Sequence, residues 1–182
     1  MTTSAYVVLS ALGPDRPGLV AEVTEYVSEL GGNIEDSRMA VLGAEFGIFI
    51  LISGATTAIA AIEAGASDLS KSTGLGIVTR RTKSPDEHRR AAVIPCIVTT
   101  EALDHEGIVR SVAKALRDVG VNIVSLETSA YEAPVTGSQL FRMEARIDVP
   151  QTLTIASVRR ALDVVAEAEN LDIDVRSLIG RA

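Results

Sequence analysis

The chain has 182 residues, 47% hydrophobic and 23% charged, the balance of a globular protein with room for one large domain or two small ones. Aromatic residues make up only 3%, tryptophan is missing, and the formal net charge is −7, which argues against stacking on nucleobases and against a basic surface for nucleic acid or anionic membranes. A single cysteine, Cys96, excludes an internal disulfide and speaks against structural zinc, and with neither a secretory signal nor an apolar run near the ~18 residues of a membrane span, a cytoplasmic protein is expected.

In chain order, Tyr6–Leu12 is a β-rich run. From Pro17 the apolar positions Leu19, Val20, Val23, Val27 and Leu30 have the spacing of a helix with one buried face. Asp15 is the expected N-cap, Pro17 suits the first turn, and Gly31-Gly32 is a stop. Asn33–Leu42 and Phe46–Ser53 read as strands around a short hairpin connection, Gly43-Ala44-Glu45. A second helix is predicted over Thr56–Ser72, with Ile59, Ile62, Ala66 and Leu69 on one face, and a last strand over Leu75–Thr82.

Lys83 to Arg90 is polar, contains proline and lacks periodicity, which marks a linker. Arg80, Arg81, Lys83, Arg89 and Arg90 make this stretch basic, but Asp86 and Glu87 interrupt the run, so it reads as a solvated linker rather than a grip on RNA. The order of elements then starts again. Val93–Thr100 is a strand, Ile108, Val109, Val112, Leu116 and Val119 mark a helix, and Asn122–Tyr131 and Gln139–Val149 are strands joined by a longer loop around Ala133–Gly137. Ile155, Val158, Leu162 and Val165 mark another helix, and Asp172–Leu178 closes the series.

At an offset of 89 positions, Asp15, Gly18, Val20, Val23, Gly31, Asn33 and Ile34 recur as Asp104, Gly107, Val109, Val112, Gly120, Asn122 and Ile123. The chain is therefore read as α+β, with two tandem ferredoxin-like βαββαβ modules, residues 1–82 and 92–182, joined by the linker 83–91. Each module is expected to form one antiparallel sheet with both helices on one face, the other face being covered or polar.

Chemistry concentrates at the turn Gly13-Pro14-Asp15-Arg16-Pro17-Gly18. A helix start offers free N–H groups and partial positive charge to a carboxylate, and glycine lets a ligand approach the backbone. Asn33, read as lying on the neighbouring strand beside this turn, has an amide that both donates and accepts. Together they suit a free amino acid, although Asp-x-Pro-Gly and Gly-Gly-Asn are also ordinary turn sequences. In the second copy His105-Glu106 replaces Arg16-Pro17, and Glu106 would repel the carboxylate that Arg16 attracts, which favours the first copy as the binding one. Asp104, His105 and Glu106 are too close in sequence to converge on a metal, Cys96 reads as a buried small hydrophobe, and no catalytic fingerprint is present. No metal, cofactor or enzymatic activity is expected.

The βαββαβ pattern, with glycine at the first helix start and Asn-Ile opening the second strand, resembles the ACT domain, a small amino-acid-sensing regulatory module. In the first half, ALGPDRPGLV (11–20), GGNIEDSRMAVLGAEF (31–46) and LISG (51–54) resemble the tandem-ACT regulators of the glycine cleavage system; the second half matches only at the level of fold. The resemblance implies a non-enzymatic effector-binding protein that acts on gene expression through a regulatory partner protein, with homodimers expected and no direct contact to nucleic acid or membrane. ACT ligands sit between paired domains, against the first strand–helix turn and the start of the second strand. Carried over, this nominates Asp15, Pro17, Gly18, Leu19, Asn33 and Ile34, with Gly107, Asn122 and Ile123 in the second copy.

Overall fold

The computed structural model describes residues 4–87, 92–134 and 137–178. The linker residues His88, Arg89, Arg90 and Ala91 and the loop residues Val135 and Thr136 lie outside them. The chain divides into two compact units, Met1–Arg89 and Arg90–Ala182.

Unit 1 runs β1 (Ser4–Pro14), α1 (Leu19–Glu29), β2 (Asn33–Leu42), β3 (Glu45–Ala55), α2 (Thr56–Thr73) and β4 (Gly76–Thr82). Its antiparallel sheet has the order β2-β3-β1-β4. Unit 2 repeats this as β5 (Val93–Leu103), α3 (Ile108–Asp118), β6 (Asn122–Glu132), β7 (Gln139–Pro150), α4 (Ile155–Glu169) and β8 (Asp172–Ser177), with the order β6-β7-β5-β8. Each half is thus a ferredoxin-like βαββαβ module.

Alternation builds each core. In β1 the residues Val7, Leu9 and Ala11 are buried, and in β3 so are Phe46, Ile48, Ile50 and Ile52; they meet Leu19, Val23 and Val27 of α1 and Ile59 and Ile62 of α2. Unit 2 does the same with Cys96 and Val98, Met143, Ala145 and Ile147, and Ile108, Val112, Leu116, Val158 and Leu162. Cys96 is a free, buried core residue whose thiol pKa is raised by burial.

The sequence repeat is also a conformational repeat. Gly18 (φ 97°) and Gly107 (φ 98°) cap α1 and α3, and Gly31 (φ 77°) and Gly120 (φ 76°) follow their ends. Both values are left-handed, where a Cβ is strained, so these glycines recur for backbone reasons. The edge strand is irregular at the same place in each unit, between Ile34 and Asp36 and between Ile123 and Ser125. Two details differ from expectation. Asp15 is not the N-cap: Gly18 is, without a side-chain cap, and Pro17 precedes the helix. Leu42 and Glu45 pair directly, so the first hairpin turn is Gly43-Ala44, with φ 63° at Gly43.

The sheet faces turned away from the helices differ sharply. In unit 1, register places Arg38, Phe49, Ser10 and Val78 in one row and Ala40, Gly47, Leu12 and Gly76 in the next. Phe49 is 62% exposed, Leu12 62% and Val78 66%. In unit 2 the same face carries Glu101, Arg142, Glu144, Arg146, Asp174 and Arg176. There Arg176 pairs with Asp174 at 3.0 Å and Arg142 lies 3.9 Å from Glu101. Of the two alternatives expected for the open face, covered or polar, unit 2 takes the polar one, while unit 1 presents an apolar face.

Candidate ligand site

The β1–α1 turn leaves the sheet at Pro14, and the Asp15 amide donates to the Ala44 carbonyl (2.9 Å), which ties the turn to the β2–β3 hairpin. Asp15, Arg16, Pro17 and Gly18 are exposed. Leu19 is 1% exposed, so its side chain belongs to the core and only its backbone faces a ligand at the helix start. Arg16 folds back onto the helix. Its Nη2 donates to Glu22 Oε2 at 2.8 Å, and Nη1 donates to Glu22 Oε1 in parallel. Nη2 also lies 3.5 Å from the Thr73 carbonyl at the end of α2. The hydrogen bond from Arg16 holds the Glu22 carboxyl below the usual carboxylate range. A charge expected to attract a ligand carboxylate is therefore matched inside the module, and Glu22 brings an acid to the first turn of α1.

The start of β2 is a second cluster. Asn33 Nδ2 donates to Glu35 Oε1 (3.0 Å), and Ser53 Oγ on β3 donates to the same oxygen (2.5 Å). These two hydrogen bonds, Ser53 first, hold Glu35 below the usual range. Asn33 spends one amide N–H on Glu35, and its amide oxygen is an acceptor beside that carboxylate, a combination suited to an ammonium group. Ile34 is half-buried against the core, so its contribution to a ligand is through the backbone. Glu35 and Ser53 were missed because alternation assigns them no special face; only the irregularity after Ile34 and the cross-strand pairing of Asn33 with Ser53 join them.

The expectation that Asn33 lies beside the β1–α1 turn is overturned by the sheet topology. β3 separates β2 from β1, and the turn continues from the row Leu42–Glu45–Pro14, whereas Asn33 pairs with Ser53 and Ser53 with Tyr6 at the other end of the sheet. Ten residues of β2 separate the two ends, about 30 Å at ~3.3 Å per residue. One module cannot close both clusters on a single amino acid.

In unit 2 the turn around Gly107 has the same backbone, with the Asp104 amide donating to the Gln139 carbonyl (2.9 Å). Its side chains are rewritten. His105 takes the place of Arg16, its Nε2 lying 3.3 Å from the Glu169 carbonyl at the end of α4. Ser111 takes the place of Glu22 and donates to the Glu169 carboxylate, whose Oε2 is buried without a hydrogen-bond partner among the described residues. Asn122 Nδ2 donates to the Ile123 carbonyl (3.1 Å). Val124 stands where unit 1 has Glu35, and Asp148 pairs with Asn122 where unit 1 has Ser53. The amide–carboxylate–hydroxyl cluster of unit 1 is thus not reproduced. Among the described residues no group of three or more His, Cys, Asp or Glu converges as a metal site, and no helix is long and apolar enough to cross a membrane.

The ACT domain family matches residues 5–80. A stretch of 82 residues is 45% identical to proteins described as glycine cleavage system transcriptional repressors from Escherichia coli (strain K12) and Shigella flexneri. That stretch covers 45% of this chain and 43% of each relative, so the match spans less than half of their length. Across both units, the crystal structure of an unknown protein from Galdieria sulphuraria is similar at 33% identity and a TM-score of 0.77, covering 97% of this chain and all of that one. A crystal structure provisionally described as a glycine cleavage system transcriptional repressor shares the fold, with a TM-score of 0.69 at 24% identity, covering 96% of this chain and 98% of that one. Residues 5–80 match the ACT domain family, and the two units together share the fold of a structure described as a regulator of this kind, so the chain is a tandem ACT-fold protein whose matched stretch resembles the glycine cleavage system transcriptional repressors.

Proposed function

We propose that this protein is a regulator, not an enzyme: it binds a small amino acid such as glycine and thereby alters its association with a regulatory partner protein. Through that partner it acts on the expression of genes of amino-acid and one-carbon metabolism, in the cytoplasm and as a homodimer. The observation that carries the reading is the split site. The start of α1 at Gly18 offers N–H groups to a carboxylate, while Asn33 and Glu35 offer acceptors to an ammonium, and the two lie at opposite ends of one sheet. One module cannot grip an amino acid at both ends, so the ligand binds one state of the protein better than another. That differential affinity is what a sensor requires. The 45% identity to the repressors over 82 residues supports the regulatory role, and the net charge of −7 is consistent with action through a protein rather than on DNA.

Thermal denaturation against a panel of amino acids tests this. Ligand at about 100 times its Kd adds roughly 2.7 kcal/mol, a rise of about 5–10 °C for a chain of this size. Asn33→Ala and Glu35→Gln, with the fold intact, should abolish the shift. No shift with any amino acid at saturating concentration overturns the sensor reading.

The Arg16–Glu22 pair favours one alternative, an ACT-fold interaction module or regulatory subunit of a separate enzyme with no pocket of its own. A matched Arg16 and an acid in the first turn of α1 both weaken that helix start as a carboxylate site. Partner binding that persists without any amino-acid-dependent shift would select this alternative.

A further inference from the structure

We infer that the apolar open face of the unit 1 sheet is where two copies of this chain pair, sheet against sheet, about a two-fold axis running parallel to the strands. The inference rests on the reading that the chain is a homodimer; an axis along the strands leaves the Gly18 turn of one copy about 30 Å along the sheet from the Asn33 cluster of the other, so this pairing does not itself build the amino-acid site.

In a chain with three phenylalanines and no tryptophan, Phe49 stands on an open sheet face with Leu12 and Val78 beside it. Contiguous apolar surface of this kind marks an interaction site. The face is also complementary to itself. In the order β2-β3-β1-β4, a two-fold axis along the strands between β3 and β1 lays β3 of one copy over β1 of the other, and β2 over β4, with rows kept in register. Phe49 then faces Ser10, because the two are paired across β3 and β1. Ser10 donates to the Val78 carbonyl within its own sheet and so presents a low spot. In the next row Leu12 faces Gly47, where even a Cβ would already stand 3.7 Å from the Leu12 side chain of the same copy. Large residues meet small ones, as packed sheets require.

The charges obey the same operation. Asp36 on β2 and Arg80 on β4 share one row, through Leu51 and Val8, at opposite edges of the sheet. The axis brings Asp36 of each copy over Arg80 of the other, making two ion pairs at the rim. Asp36 is held within its own chain by Arg38, an exposed pair that contributes little and is readily exchanged. An axis across the strands would instead set Asp36 over residues of another row. Four strands at ~4.8 Å and about eight residues at ~3.3 Å give a footprint of about 500 Å² per copy. The pair therefore buries about 1,000 Å², the lower size of a specific interface.

Sedimentation velocity of the full chain over a concentration series provides the test. The wild type should be a dimer, and Phe49→Arg a monomer with an unchanged circular-dichroism melting curve. Phe49→Ser serves the same purpose if the arginine variant fails to fold. Asp36→Arg and Arg80→Asp should each weaken the dimer by roughly tenfold or more, from like charges set face to face, and the double variant should recover most of that loss. A wild-type monomer overturns both the pairing and the face. A dimer indifferent to Phe49→Arg and Phe49→Ser overturns the face alone, and a double variant as weak as its parents overturns the axis.

Discussion

The two modules share one backbone and present different chemistry. Helix α1 carries Glu22, Glu25 and Glu29 and no basic residue, while α3 at the same offset carries Arg110, Lys114 and Arg117. The open sheet face is apolar around Phe49 in unit 1 and zwitterionic around Arg142 and Glu144 in unit 2. The acceptor cluster of Asn33, Glu35 and Ser53 has Val124 and Asp148 in its counterpart positions. What the copies hold in common are the positions a βαββαβ chain needs: left-handed glycines at the helix ends and buried aliphatic residues on alternate strand positions. Repetition conserves what folds the module, and divergence shows which surfaces each module uses.

The comparison is best broken in the cores, where the largest effects lie. Ile52 and Ile147 occupy matching places, each paired with the isoleucine that follows the edge-strand asparagine, and neither is more than 1% exposed. Ile52→Ala and Ile147→Ala should each cost about 2–5 kcal/mol in urea denaturation, with hydrogen exchange showing the loss of protection confined to the altered unit. A much smaller loss in one unit would mean that its core can relax around the cavity and is not a copy of the other.

A difference between the cores gives the next effect. Gly32 in unit 1 corresponds to the buried Val121 in unit 2. A Cβ at Gly32 would stand 2.8 Å from Ile62 Cδ1 and 2.9 Å from both Ile52 Cγ2 and Val27 Cγ1. Gly32→Val, which makes unit 1 imitate unit 2, should therefore destabilise by about 1–3 kcal/mol through overpacking, read as a lower urea midpoint at unchanged slope. A neutral result would show the two cores to be interchangeable at this position.

The smallest effect is electrostatic. In unit 1, Arg16 holds the carboxyl of Glu22 below its ordinary pKa, Ser53 and Asn33 hold that of Glu35, and Arg81 holds that of Glu63. A carboxyl more acidic in the folded chain stabilises it above the unfolded pKa, and that stabilisation is lost as pH falls through the folded value. Unit 1 should thus weaken below about pH 4, and the triple variant Glu22→Gln, Glu35→Gln, Glu63→Gln should flatten this part of its stability–pH curve. All three groups are on the surface, so the change in urea midpoint should be modest and reduced by salt.

Much of this architecture is legible in the sequence. The 89-residue offset maps Gly18 onto Gly107 and Asn33 onto Asn122, and the first helix and the edge strand of each unit begin at that same spacing. The reading misled where a residue type had two uses. Asp15 looked like a helix cap because aspartate caps helices, yet a glycine three residues later can take the left-handed cap conformation unaided. Arg16 looked available because its partner Glu22 is six positions away, a pairing made by the turn and not by helical spacing. Asn33 looked adjacent to the first turn because the two elements are consecutive in sequence, whereas the crossover inserts β3 between β1 and β2.

By itself, then, the sequence determined the repeat, the order of elements, the cores and the family signature of the first module, since these depend on local periodicity and on backbone demands that few residue types meet. Tertiary structure alone decided which charges are already matched, that Glu35 and Ser53 complete the asparagine cluster, and that this cluster lies some 30 Å along β2 from the first turn. Those are matters of register and strand order, set by side chains far apart in sequence. They turn a motif that reads as one pocket into two half-sites.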